Sequence, residues 1–162
     1  MSSPLDPKST VVKVALKRVD LCELVQAHEL LRMAPFVRAM GVKAEALLKA
    51  GVARRYPDGA ALFQQGDAGQ SLFFVLRGEV RLSALSAGEA VELEIALPGA
   101  VCGETEVLSG APIRTSSAVA QGEVDAAEFP RESLGELAGF LRPIQEGRRK
   151  ALNEMTHFMN RW

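Results

Sequence analysis

Histidine is nearly absent from this chain: its 162 residues contain two, His28 and His157, with none between Glu29 and Thr156. A barrel enzyme that carries a catalytic metal on its inner strands needs histidines there. That class is set aside, and no metal site is expected; both histidines read as surface or packing residues. Cysteine is as scarce. Cys22 and Cys102 lie far apart and fit no Cys-x-x-Cys spacing, which leaves free, partly buried thiols in a reducing compartment as the expectation. No apolar stretch reaches the roughly 18 residues of a membrane-spanning helix, and the opening MSSPLDPKST lacks the basic-then-apolar order of a secretion signal. A cytoplasmic protein with no membrane partner is expected.

Positive charge is scarce in the middle of the chain. Between Gly59 and Pro130 there are ten acidic residues against three basic ones, Arg77, Arg81 and Arg114. From Leu141 onward the balance reverses, with five basic residues against two acidic. Five basic residues on a helix read as a solvated face rather than a nucleic-acid surface, and no nucleic-acid partner is expected. What the chain has in quantity is apolar side chains, 48% of its residues, enough for one real core but too short a chain for two full domains.

Residues 1–10, with two prolines and three serines, read as a tail. Residues 11–32 carry apolar side chains at three- and four-residue spacing, the pattern of an amphipathic helix; tail and helix form an N-terminal extension over 1–32. Pro35 interrupts that pattern, and 44–50 reads as a short helix closed by Gly51. From Tyr56 onward, turn signals recur about every eight to twelve residues, with short apolar or alternating runs between them at 61–64, 72–76, 80–85, 91–97, 117–120 and 124–129. Val91, Leu93, Ile95 and Leu97 alternate with Glu92 and Glu94, the period of a strand with an apolar inner face and a charged outer one. Helical spacing returns at 132–142, Pro143 breaks it, and a last helix over 143–162 carries an apolar stripe ending in Phe158 and Trp162. The expected fold is mainly β with flanking helices: an antiparallel β-barrel or jelly roll (double-stranded β-helix) over 33–142, N-terminal helices, and a C-terminal hinge helix.

The chemistry concentrates in 99–118, GAVCGETEVLSGAPIRTSSA. A turn opening at Gly103 can aim backbone N–H groups and the positive end of a helical turn at a phosphate. Glu104 beside it can accept from a ribose hydroxyl. Arg114, ten residues further on, can return to the same pocket with a planar fork that matches two phosphate oxygens, and Thr115 adds a hydroxyl and an N–H. Glu104 and Arg114 taken alone would read as a structural ion pair; the glycine pattern around them favours a ligand.

Gly-Glu, a short helix, then Pro112 and Arg114 before a small-residue strand resembles the phosphate-binding cassette of cyclic nucleotide-binding domains. These occur in catabolite-activator-type regulators, regulatory subunits of cyclic-AMP-dependent kinases and nucleotide-gated channels. Tyr56-Pro-Asp-Gly59, Phe63-Gln-Gln-Gly66-Asp67 and Leu72-Phe-Phe-Val-Leu-Arg-Gly78-Glu-Val80 are similar to that family's opening strands, so the resemblance covers roughly 36–152. It implies a non-enzymatic sensor with no prosthetic group, whose ligand is a cyclic nucleotide, cAMP or cGMP. Gly103 and Glu104 would hold the ribose 2′-hydroxyl, Arg114 the cyclic phosphate, and Thr115 the phosphate oxygens. The terminal helix would cover the base, although Phe158 and Trp162 at helical spacing read first as packing or dimer contacts.

The resemblance is imperfect. Cys102 stands where the family has an aromatic residue, Thr105 where it has an aliphatic one, and Ile113 separates Pro112 from Arg114. Glu106 stands where alanine, glycine or serine is usual. A carboxylate about 5 Å from a phosphate costs roughly 3 kcal/mol at an effective dielectric of about 20, about a hundredfold in affinity. The expected mechanism is a population shift in which ligand repositions the last helix toward an unknown protein partner or the helix of a dimer mate. No helix-turn-helix follows that helix in this sequence, so direct DNA regulation is not expected. The alternative is a degenerate fold acting as a ligand-independent interaction or dimerisation module, or one that takes a cyclic dinucleotide.

Overall fold

The structure is a computed structural model that describes the backbone of Val14–Ala15 and all of residues 20–134. The readings for the tail, for the stretch beyond Leu134 and for the C-terminal helix with Phe158 and Trp162 lie outside the described residues.

Four short α-helices precede the strands from Val52 onward: α1 (Leu21–Ala27), α2 (Glu29–Arg32), α3 (Pro35–Met40) and α4 (Ala44–Leu48). The expected single helix over 11–32 is corrected. Val14–Ala15 forms a strand, β1. Helix α1 starts at Asp20, whose carboxylate accepts from the Cys22 N–H at 2.9 Å, the N-cap role for which a short acidic side chain is suited. His28, in extended backbone, separates α1 from α2. Pro35 starts a helix rather than only ending one, because its missing N–H costs nothing at the first helical position.

The strands are β2 (Val52–Tyr56), β3 (Ala61–Phe63), β4 (Ser71–Ser86), β5 (Glu89–Ala96), β6 (Val101–Cys102) and β7 (Ser117–Pro130), with helix α5 (Glu104–Ser109) between β6 and β7. Every strand pairing is antiparallel, in the order β1-β2-β7-β4-β5, with β3 added to β7 and β6 to β4. This is the mainly antiparallel β fold with flanking helices that the turn spacing implied. Two expected turns are instead interior to long strands. Gly78 and Gly122, at φ 87° and 74°, let β4 and β7 run on as continuous strands, and the β4–β7 register shifts on both sides of Arg77, the second shift spanning Gly78.

The run Leu72–Leu76 shows how the core is divided. Leu72, Phe74 and Leu76 face a cluster shared with the helices and with Phe129, while Phe73 and Val75 face a second cluster inside the sheet with Tyr56, Phe63 and Cys102. Both faces of this stretch are covered, so the sequence is uninterruptedly apolar instead of alternating. Phe36 locks the helices on, its ring 5.1 Å from Phe74 and 5.3 Å from Phe129.

The inward reading of β5 is corrected. Val91, Leu93, Ile95 and Leu97 are between 40% and 53% exposed, and within β5 only Ala96 is buried. This strand pairs with β4 alone and joins the buried cluster only at Ala96, so its alternation does not place the face of Val91, Leu93, Ile95 and Leu97 inside.

Candidate ligand-binding site

The cassette is anchored from below. Strand β6 pairs with β4 at Phe73 and Phe74, Cys102 is fully buried, and Val107 of α5 is buried in the helix-side core. Gly103 caps α5 in the left-handed conformation, φ 82°. A Cβ there would sit 2.8 Å from Nη1 of Arg114 and 2.9 Å from the Ser71 carbonyl oxygen, so only glycine lets the chain pass this close to the arginine. On the other side, the Arg114 backbone is held by the turn before β4: its N–H donates to the Asp67 carbonyl at 2.8 Å and its own carbonyl accepts from the Gly66 N–H at 2.9 Å.

The Arg114 side chain is 2% exposed. Nη2 donates to the Ser71 carbonyl at 2.7 Å and to Ser71 Oγ at 3.1 Å, and Nη1 donates to the Gly103 carbonyl at 3.1 Å. Its guanidinium lies over the Phe63 ring, 4.3 Å from the centroid. Its carboxylate partner is Glu106, whose Oε2 accepts from Nη1 at 3.2 Å. The other carboxylate oxygen, Oε1, accepts from the Thr115 N–H at 2.8 Å and from the Thr115 hydroxyl at 3.0 Å. The donors that the sequence assigned to a phosphate, Arg114 and both groups of Thr115, thus converge on one protein carboxylate.

The repulsive role expected for Glu106 therefore takes a more specific form. Rather than standing beside Arg114 and Thr115, the side chain accepts their hydrogen bonds, and it is fully buried, at 1% exposed.

In front of this carboxylate is a cleft of about 130 Å³ lined by Leu82, Leu93, Glu94, Ser116 and the cassette residues Gly103, Glu104, Thr105 and Glu106. Small-molecule pockets usually hold roughly 300 Å³ or more, so the cleft is small. Arg114 and Thr115 are not among its lining residues; Glu106 faces the cleft with them behind it. Of the residues singled out from sequence, Gly103, Glu104, Thr105 and Glu106 reach the cleft, and Glu104 is 3% exposed. Ser71, Phe63 as the ring under Arg114, and Glu94 were missed. Ser71 and Phe63 flank or sit within apolar runs with no local signal of a polar partner, and Glu94 was assigned to the outer face of a regularly alternating strand.

No three of the described His, Cys, Asp and Glu side chains are grouped to hold a metal ion, and no helix among the described residues is long and apolar enough to cross a membrane. Both cysteines are buried and neither is in a disulfide. Burial, aided by the charges of Asp20 and Glu45, pushes the Cys22 thiol up from its ordinary value.

An antiparallel β fold with a Gly-Glu helical turn answered by an arginine ten residues on defines a class of small-ligand regulatory domain. The sequence model of the cyclic nucleotide-binding domain matches residues 53–139, more than half of the chain, and the chain belongs to that family. It is 38% identical over 80 residues to the cyclic AMP receptor protein of Thermus thermophilus, a match covering 49% of this chain and 37% of the relative. The crystal structure of the Thermus thermophilus catabolite activator protein superimposes with a TM-score of 0.66 at 27% identity, over 78% of this chain and 63% of that one. The regulatory domain of Toxoplasma gondii PKA with cAMP shares the fold, with a TM-score of 0.69 at 17% identity over 81% of this chain and 50% of the other. The chain thus spans little more than a third of the curated relative it matches.

Proposed function

We propose that this chain is a cyclic-nucleotide-type regulatory domain whose anion site is occupied by its own Glu106, so that a cyclic nucleotide binds only in competition with that carboxylate. The observation that carries this reading is the set of bonds from Arg114 Nη1, the Thr115 N–H and the Thr115 hydroxyl to the two Glu106 oxygens. In the liganded state Arg114 and Thr115 would pass from Glu106 to the cyclic phosphate, with Glu104 and the Gly103 backbone holding the ribose. Thr105 lines the same cleft. Family membership and the named relatives, a cyclic AMP receptor and a kinase regulatory domain with cAMP, support a binding and signalling role without catalysis. Output would run through the segment after Leu134, by repositioning a C-terminal helix toward a protein partner or a second copy of the chain.

A second reading rests on the same bonds: the cassette is complete without ligand, and the domain is a constitutive interaction or dimerisation module. Calorimetry with cAMP, cGMP and a cyclic dinucleotide on the wild type, Glu106→Ala and Arg114→Ala separates the two. The competitive reading expects millimolar or weaker binding by the wild type, about a hundredfold gain in Glu106→Ala, and no binding in Arg114→Ala. No heat with any of the three ligands in either the wild type or Glu106→Ala would establish the constitutive module.

A further inference from the structure

Arg114 is held from a second side. Its Nε has no hydrogen-bond partner among the described residues, so the orientation of the guanidinium rests on its two Nη groups. Nη1 is shared between Glu106 and the Gly103 carbonyl, whereas both bonds of Nη2 go to Ser71, at its carbonyl and at Oγ. A guanidinium can only donate, so Ser71 Oγ accepts from Arg114 and directs its single proton elsewhere. That proton goes to Glu128 Oε2 at 2.6 Å, a length typical of a hydroxyl on a charged carboxylate. The other oxygen, Oε1, accepts from Arg54 Nη1 at 2.6 Å. One chain of bonds thus runs from Arg54 through Glu128, Ser71 and Arg114 to Glu106.

Strand register builds this chain. Ala127 and Phe129 belong to the helix-side cluster, so Glu128 between them points to the opposite face of β7. It is paired with Phe73 on β4 and Val52 on β2. Ser71 and Arg54 lie two residues from those partners, on the same face and within diagonal reach. The side chains of Glu128 and Arg54 are each 29% exposed, so the chain starts at water and ends at a buried cation. Arg114 therefore has two carboxylates at hand, Glu106 in direct contact and Glu128 one hydroxyl away.

We propose that Glu128 is a positioning residue for the cassette: acting through the Ser71 hydroxyl, it keeps the Arg114 guanidinium in its present orientation when Glu106 lets go. The use of that orientation for a cyclic phosphate rests on the competitive reading above; the hold itself does not. Withdrawing Glu106 takes one of the two bonds of Nη1 and leaves Nη2 untouched. With Glu128 behind it, the Ser71 hydroxyl presents only its lone pairs to Arg114 and is polarised as an acceptor. Without Glu128 the hydroxyl rotates freely, and Nη2 keeps the Ser71 carbonyl alone.

The nitrogen–proton resonances of the Arg114 guanidinium, assigned by their loss in Arg114→Lys, report this hold without any ligand. Separate Nη1 and Nη2 signals should be resolved in the wild type and in Glu106→Ala. They should collapse through guanidinium rotation in Glu106→Ala/Glu128→Ala and in Glu106→Ala/Ser71→Ala, and Glu106→Ala/Ser71→Thr, which restores the hydroxyl, should resolve them again. Collapse in Glu106→Ala alone, or signals that stay resolved in Glu106→Ala/Glu128→Ala, overturns the inference. If the double variants do not fold, Glu128→Gln and Ser71→Ala with Glu106 intact give the same readout: exchange within Nη2 should quicken while Nη1 is unchanged, and unchanged Nη2 exchange in both overturns the inference equally. Calorimetry with cAMP measures the consequence, with Glu106→Ala/Glu128→Ala binding about tenfold more weakly than Glu106→Ala. If Glu106→Ala takes no cAMP, the competitive reading falls and the guanidinium signals still decide this inference. If it takes cAMP and adding Glu128→Ala leaves the affinity unchanged, this inference falls and the competitive reading stands.

Discussion

Glu106 Oε2 lies 3.2 Å from Arg114 Nη1, with both side chains only 2% exposed. A buried pair of this kind gains little over an apolar pair of equal size, because desolvation offsets the attraction, but losing one partner strands a charge. Arg114→Met should therefore cost about 3–5 kcal/mol in urea unfolding, and Glu106→Leu a similar amount. The double variant Glu106→Leu/Arg114→Met should lie closer to the wild type than either single variant. If the two losses simply add, the ion pair is not what holds the cassette.

Gly103 stands between this pair and the start of α5. Its left-handed φ of 82° and the 2.8 Å from an ideal Cβ to Arg114 Nη1 make two separate demands on the absence of a side chain. Left-handed backbone alone costs an ordinary residue about 1–2 kcal/mol. Gly103→Ala should lose more than that, because Arg114 must also shift away from the Gly103 carbonyl. By contrast Gly59→Ala, at the same φ of 82° but with open space around its Cβ, should lose only the backbone part. Equal losses in the two variants would show that the arginine adapts without strain. Thermal unfolding of both variants measures the difference.

Much of this architecture is legible because its signals are local. The cassette could be placed because Gly103, Glu104 and Arg114 occupy fixed offsets within one segment, and the thiols of Cys22 and Cys102 could be assigned by spacing alone. What was not legible depends on partners distant in sequence. Gly78 reads as a turn until Glu123 and Val124 of β7 are seen beside it, where a Cβ would collide with the Glu123 carbonyl; the glycine lets two strands pass closely and does not end one. The alternation at 91–97 is real, but whether its apolar face is covered depends on whether another layer reaches that end of β5. Glu106 was legible as an anomaly, whereas its bonds to Thr115 and Arg114 required the fold to bring β7's approach segment over α5.

Asp125 on β7 offers a pH test away from the cassette. Its carboxylate accepts from Arg55 Nε at 2.9 Å and Arg77 Nε at 3.0 Å. Burial pushes its pKa up, but the hydrogen bonds and charges of the two arginines outweigh burial and hold it below the ordinary carboxylate value. A lowered folded pKa stabilises the fold above the unfolded value of about 3.9, and that contribution is lost as pH falls through the lower folded value. Both arginines are about half exposed, so solvent screening keeps the effect modest. Asp125→Asn should be less stable than the wild type by about 1–2 kcal/mol at neutral pH, with the gap closing below about pH 4. A gap that is constant across that range would assign the loss to packing instead of charge.

Tyr56 gives the opposite sign at the other end of the scale. It is the only tyrosine in the chain and is completely buried. Burial first, and then the charge of Glu128, push its phenol up to about 12, against the opposing effect of Arg54. An unfolded tyrosine ionises near pH 10, so the folded state binds the phenolic proton more tightly. The resulting stability is present in full below about pH 10 and is lost as pH rises toward the folded value. The difference in unfolding free energy between the wild type and Tyr56→Phe should therefore be flat up to about pH 10. Above that it should fall by as much as about 1.4 kcal/mol per pH unit. Lysines and cysteines, present in both proteins, cancel in that difference. Ultraviolet titration of the folded wild type should show no phenolate until well above pH 10, with its appearance tracking the loss of native circular dichroism. Phenolate forming near pH 10 in a protein that is still folded would mean that the hydroxyl reaches water and that the buried position of Tyr56 opens without unfolding the sheet.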